Sequence, residues 1–207
     1  MGIIAFAMSP RRGGNSETLL DEVIAGCEGE GCGVTKYRTA ELDILPCTGC
    51  GGCAQNGCCI IDDAFTAISR EMIGCDGIIF ASPLYFMSLP AQGKALVDRC
   101  QAFWAARHDL GIDLFGGRLR PGLLVAVAGA GKGPGGGDVF RGLDDTMKYV
   151  FEALGLTALE SVRAPRVDSQ GDVDSLHYLR ALARQRGVEM AQVAMNCRPP
   201  EDNQSFL

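Results

Sequence analysis

Cys47, Cys50 and Cys53 stand at C-x2-C-x2-C, and Cys58 and Cys59 follow closely. Gly49, Gly51 and Gly52 lie between them, so the backbone can wrap three thiolates around one small inorganic centre. A fourth thiolate from Cys59 or Cys58 completes a four-cysteine set, which suits a [4Fe–4S] cluster. Counted to Cys59, the spacing is C-x2-C-x2-C-x5-C, compatible with but different from the ferredoxin run C-x2-C-x2-C-x3-C-P. Two other chemistries use the same groups. Zinc also takes four thiolates, although its cysteine pairs usually stand far apart, and a C-x-x-C pair can cycle as a redox disulfide. Cys27, Cys75 and Cys100 fall in or beside apolar elements and read as core residues. Cys32 to Arg38 matches the C-x5-R spacing of a phosphatase loop, but it runs into an expected strand, and the match is treated as chance.

A second set of residues suits an anion. Ser9-Pro10-Arg11-Arg12-Gly13-Gly14-Asn15-Ser16 joins an apolar run to a helical pattern. A helix N-terminus presents free N–H groups and the positive end of a dipole, which together hold a phosphate. Ser9, Asn15 and Ser16 add short polar side chains, Arg11 and Arg12 add charge, and the glycines let the backbone fold around the anion. The loop is neither G-x-x-x-x-G-K-[ST] nor G-x-G-x-x-G, and the same residues also make an ordinary polar turn with helix caps. Ser82-Pro83-Leu84-Tyr85-Phe86 offers apolar and aromatic groups that can line a flat ring, or pack as a hydrophobic turn. The glycine-rich stretch 129–137, with Lys132 inside it, permits close backbone approach to a planar ligand, or forms a flexible surface loop. His108 and His177 have no triad partners in the sequence, and Trp104 reads as a packing or subunit-contact residue.

The elements that must position these groups alternate. Strands are expected over 2–8, 33–39, 77–82, 122–128 and 157–164, and helices over 16–27, 62–72, 91–106, 138–154 and 175–195. Asp62 or Asp63 is the expected cap of the second helix. The strands are short, apolar and without clean alternation, as when helices cover both faces of a sheet. Right-handed crossovers then give an α/β doubly wound parallel sheet of five strands, favoured order 2-1-3-4-5. The anion loop, the aromatic loop and the glycine loop converge at the carboxyl ends of strands 1, 3 and 4, where such folds bind ligands. A single domain over 1–197 and a mobile polar tail over 198–207 are expected.

Bulk properties narrow the function. The 207 residues are 47% apolar and carry a formal charge of −6. The acidic balance argues against a nucleic-acid partner, and no polybasic run marks a membrane surface. The apolar run at 2–8 is too short for a secretory signal or a membrane span. A cytoplasmic location is therefore expected, where ten cysteines serve as ligands, redox groups or core residues rather than a disulfide framework.

The order S-P-R-x-G-G-N-S, P-C-x-G-C-x-x-C, S-P-L-Y-F and A-Q-x-K-A-L-V-D-R, spread over roughly four-fifths of the chain, resembles the NADPH-dependent FMN reductases. Within these it looks most like the iron–sulfur flavoproteins of anaerobes. The resemblance implies a flavodoxin-like fold and an FMN-dependent oxidoreductase. It implies that Ser9, Arg11, Asn15 and Ser16 hold the FMN phosphate and that Pro83, Leu84, Tyr85 and Phe86 flank the isoalloxazine ring. Gly129, Ala130 and Gly131 would lie near the pyrimidine edge of that ring. It selects Cys59 as the fourth ligand beside Cys47, Cys50 and Cys53, with Cys58 spare. Met8 departs from the family, which usually has glycine there, and local repacking is expected. FMN and a [4Fe–4S] cluster would exchange electrons with NAD(P)H or a ferredoxin-like donor, and a homodimer or homotetramer would bring one subunit's cluster near another's flavin. A cluster-free NAD(P)H-dependent flavin or quinone reductase is the alternative, and a zinc-bearing structural or regulatory module is a further one.

Overall fold

The computed structural model describes residues 2–197; the tail from Arg198, expected to be mobile, lies outside them. The strands are β1 (Gly2–Ala7), β2 (Gly33–Arg38), β3 (Gly77–Pro83), β4 (Arg120–Ala128), β5 (Leu156–Ala158) and β6 (Val162–Pro165). All pair in parallel, in the order β2-β1-β3-β4-β5, with β6 also on β4. The principal helices are α1 (Asn15–Gly29), α2 (Cys53–Asn56), α3 (Ala64–Gly74), α4 (Ala91–Arg99), α5 (Gln101–Trp104), α6 (Arg141–Ala153) and α7 (His177–Asn196).

Successive strand residues point to opposite faces, and here both faces are buried. Ile4, Phe6 and Met8 join the core under α3 to α6, whereas Ile3, Ala5 and Ala7 join the core under α1 and α7. On the first face Phe6 stacks on Phe80 at 5.5 Å and on Tyr37 at 5.9 Å, and Phe80 meets Phe151 at 5.8 Å. This aromatic ladder crosses β2, β1 and β3 and ends on α6.

The fifth strand differs from the single run expected over 157–164. Residues 120–122 pair with 156–158, but 125–128 pair with 162–165. Two residues of β4 thus face three of the partner, which is a one-residue bulge. The bulge reverses the faces: Leu156 packs in the core under α6, while Val162 and Ala164 pack in the core under α7. Without it, all three would point the same way.

Two close approaches position the helices. A Cβ on Gly26 would lie 2.1 Å from the Arg184 carbonyl oxygen, and one on Gly187 would lie 2.0 Å from that of Val23, so α1 and α7 touch backbone to backbone. Met8 is fully buried, and a Cβ on Gly93 would sit 2.9 Å from the Met8 Cβ. The repacking expected around Met8 is therefore the absence of a side chain at position 93 on α4. The helix expected over 91–106 is interrupted at Cys100, whose N–H bonds back only three residues to Val97 (3.0 Å). It ends in a π turn, Ala105–Asp109, where the Leu110 N–H reaches Ala105 (3.1 Å).

Candidate cofactor cleft and cysteine cavity

The loop after β1 has the features that suit an anion. Gly14 caps α1 without any side-chain acceptor, so the first N–H groups of the helix stay open. Ser9, Asn15 and Ser16 are buried beside them. The Ser9 hydroxyl accepts from the Arg11 N–H (3.1 Å). Gly13 has φ +61°, a left-handed conformation natural to glycine. The Asn15 amide bonds to the segment after β6 through both its nitrogen and its oxygen. It donates to the Ser169 carbonyl (2.7 Å) and accepts from the N–H groups of Gly171 (3.1 Å) and Val173 (3.4 Å). Gln170 donates to the carbonyls of Arg12 (3.3 Å) and Gly13 (3.2 Å). The phosphate-type loop is thus held by a fourth loop at the same sheet edge.

Glu17 holds the cradle from beneath. Its carboxylate accepts the Gly13 N–H (2.7 Å), pairs with Lys36 (2.9 Å) and pairs with Arg38. Burial pushes its pKa up, but Arg38, Lys36 and the Gly13 N–H outweigh that and bring it down to about 2. A depressed folded-state pKa gives stability that is present above the ordinary value of 4.5 and lost as pH falls toward 2. Glu17→Gln is expected to cost about 2–3 kcal/mol at neutral pH and to flatten the stability–pH curve between 4.5 and 2. Urea unfolding at several pH values checks this; an unchanged acid limb would mean that Glu17 does not hold the loop.

The other expected loops meet the same cleft. Ser9, Arg11, Asn15, Ser16, Pro83, Leu84, Tyr85 and Gly129 all line it, together with Asp168 and Gln170. It encloses about 80 Å³ and is otherwise open. That volume takes a phosphate-sized group, while a planar ring would lie on its rim. Tyr85 and Ser88 close a tight turn through reciprocal backbone bonds of 2.9 and 3.0 Å, which holds Phe86 (φ +48°) and Met87 (φ +65°) left-handed. Such strain in non-glycine residues is characteristic of ligand clamps. Phe86 is fully exposed at the tip, and Ala130 and Gly131 stand exposed beside the cleft rather than in its lining. A Cβ on Gly129 would meet Asp168 at 2.8 Å, and one on Gly131 would meet Arg166 at 2.5 Å. These glycines therefore admit the segment after β6. The sequence reading missed Asp168 and Gln170, although the polar run 167–172 follows the last strand at the ligand edge and could have been found by the same rule.

Cys47, Cys50, Cys53 and Cys59 line one separate cavity of about 260 Å³, and Cys58 does not. Its far wall is Gln101, Ala102, Ala105 and Asp109 from α5 and the π turn. Cys53 opens α2, and burial, with the thiols of Cys59, Cys47 and Cys50 nearby, raises its pKa. Among the described residues no group of three or more His, Cys, Asp or Glu side chains is arranged to hold a metal ion. The four cysteines share the lining of one cavity. Arg99, whose side chain is wholly buried, reaches into this wall. Its Nε donates to Cys59 Sγ (3.1 Å), its Nη1 to the Leu45 carbonyl (2.9 Å) and its Nη2 to the Ile61 carbonyl (2.9 Å). Asp63 pairs with it at 2.7 Å and caps α3 by accepting the Phe65 N–H (2.9 Å). Arg99 was also missed, though a charge three residues past the buried Leu96 on an inward helix face signals a buried partner. The remaining polar groups stay outside both sites: Trp104 stacks on His108 at 4.0 Å, His108 lies 3.5 Å from Glu152, and His177 begins α7.

Known proteins resemble this chain in sequence and in fold. An iron–sulfur flavoprotein of Methanosarcina thermophila is 35% identical over 99 residues, 48% of this chain and 52% of that one. One of Methanocaldococcus jannaschii is 37% identical over 99 residues, 48% of this chain and 51% of that one. The chain spans about half the length of these curated relatives. A solved flavone reductase superposes with a TM-score of 0.70 at 16% identity, covering 95% of this chain and 64% of that one, which shows the shared flavodoxin-like fold. Among the described residues no helix is long and apolar enough to cross a membrane. The model of the NADPH-dependent FMN reductases matches residues 1–140, which hold the anion loop, the cysteine segment and the aromatic turn, and the chain belongs to that family.

Proposed function

We propose that the chain is an FMN-dependent oxidoreductase that passes electrons between FMN in the open cleft and a [4Fe–4S] cluster held by Cys47, Cys50, Cys53 and Cys59. The observation that carries the cluster reading is the cavity itself: these four thiols, and not Cys58, line one space of about 260 Å³. A space ringed by thiols suits a multi-iron centre better than a single tetrahedral zinc. The cleft fits the flavin phosphate through its uncapped helix N-terminus, its buried Ser9 and Ser16 and the charge of Arg11. Asn15 would act by fixing the loop at 169–173. Pro83, Leu84, Tyr85 and Phe86 would flank the ring, with Gly129, Ala130 and Gly131 at its edge. FMN supplies chemistry in electron pairs or single electrons, and the cluster in single electrons.

NAD(P)H or a ferredoxin-like protein is the proposed donor. The cysteine segment hangs from the edge strand β2, away from the cleft over β1, β3 and β4. That topology supports the proposal of a homo-oligomer that would set one subunit's cluster against another's flavin. The test is an anaerobic absorption spectrum with iron and sulfide assays. Flavin bands over a broad sloping absorbance are expected, with roughly four irons per chain. Cys53→Ser should lose the iron and keep the FMN. Flavin without iron after anaerobic reconstitution would establish the cluster-free reductase instead, and bound zinc without colour would overturn both.

A further inference from the structure

Arg99 is buried where the proposed cluster would sit, and it carries more bonds than packing needs. We infer that Arg99 is a positioning residue that sets the reduction potential of the centre held by the four thiols and closes the cysteine segment at its base. The inference rests on the electron-transfer reading of the same site. Two residues before Cys47, the Leu45 carbonyl accepts from Arg99, and two residues after Cys59, the Ile61 carbonyl does the same. Asp63 adds a bond from the Leu45 N–H (2.9 Å). The two ends of the segment are thus joined by groups other than the thiols.

The third bond runs from Nε to Cys59 Sγ and would act on a cluster bound there. One-electron reduction of a thiolate-bound cluster adds one negative charge, with no bond made and no proton moved. A guanidinium N–H on a ligand sulfur favours the more negative state and raises the potential, since hydrogen bonds to the sulfurs and local charge tune such centres. The Asp63 carboxylate partly offsets this. Its removal should therefore move the potential opposite to the removal of Arg99.

The experiment is an anaerobic spectroelectrochemical titration, with dithionite as reductant, of the reconstituted wild type, Arg99→Gln, Arg99→Lys and Asp63→Asn. Arg99→Gln is expected to disfavour the reduced cluster about tenfold, a downward shift of about 59 mV for one electron. Asp63→Asn keeps a helix-capping side chain and should shift the potential upward. Arg99→Lys keeps the charge but not the planar fork, and should fall between wild type and Arg99→Gln. If Arg99 were only a clasp, both charge-removing variants would loosen one segment and shift the potential the same way or not at all, which overturns the inference. Should Arg99→Gln take up no iron, the sign of the Asp63→Asn shift decides. A wild type that takes up no iron overturns the cluster reading and this inference with it, whereas a loaded wild type whose potential ignores both substitutions overturns this inference alone.

Discussion

Gly187→Ala is expected to lower the unfolding free energy by about 2–3 kcal/mol, against the usual direction of such a change. In a helix interior, alanine ordinarily gains about 1 kcal/mol over glycine. Here the new Cβ would sit 2.0 Å from the Val23 carbonyl oxygen and 3.0 Å from the Gly26 Cα, both backbone atoms that no rotamer change can move. Relief requires α1 and α7 to separate along their length; overpacking typically costs about 1–3 kcal/mol and occasionally more, and a backbone contact this short lies beyond the top of that range, well above the propensity gain. The clash therefore decides the sign. Because α1 carries the anion loop at its N-terminus, FMN affinity should fall with stability. Gly29→Ala is the control, since Gly29 ends the facing helix α1 with nothing within 4 Å of the added carbon. Chemical denaturation of both variants checks the argument. Equal effects would mean that the backbone contact between α1 and α7 is not what fixes them.

Arg120→Met should be larger still, about 3–5 kcal/mol, because three buried carbonyls lose their donor at about 1–3 kcal/mol each. Arg120 is 1% exposed at the start of β4, and no carboxylate among the described residues lies within ion-pair distance of it. Burial accordingly lowers its pKa from the ordinary arginine value. Its charge is balanced by helix ends. Nη1 donates to the carbonyls of Met72 (2.6 Å) and Cys75 (3.3 Å) at the end of α3, Nη2 donates to that of Leu154 at the end of α6, and Phe115 stacks on the guanidinium at 4.1 Å. Helix C-termini carry partial negative charge and unpaired carbonyls, so one guanidinium satisfies both needs at two helices. Methionine fills the volume but leaves these carbonyls buried and unpaired. Arg120→Lys should recover only part of the loss, because an ammonium cannot span both ends. Urea unfolding with an unchanged m-value is the expected readout, and a methionine variant as stable as the wild type would show that the carbonyls find other donors.

Much of the frame was legible in the sequence because it rests on local pattern. The apolar runs at 2–8, 77–82 and 122–128, each followed by a turn-rich loop and a helical stripe, specify the sheet order and the ligand edge. The cysteine set was legible for the same reason, since spacing alone brings Cys47, Cys50 and Cys53 together. Long-range partners were not legible. The bulge at 159–161 depends on the register against β4, and nothing local marks it. Asn15 lines the cleft as expected, but the bonds of its amide to a segment more than 150 residues away are seen only once β6 returns to the cleft edge. Arg99 and Glu17 read as ordinary helix charges until the loops they hold are folded around them.

The Met8–Gly93 contact also makes the two positions interdependent. A side chain at 93 and a methionine at 8 exclude one another, because their Cβ atoms would stand 2.9 Å apart. Glycine at both positions leaves a void beneath α4, a defect that typically costs about 2–5 kcal/mol but that a fold of ordinary stability can survive. Positions 8 and 93 are thus one packing unit: a larger residue at 93 is tolerated only if position 8 is emptied with it. Setting Met8 alone opposite a larger residue at 93 would force α4 off the sheet.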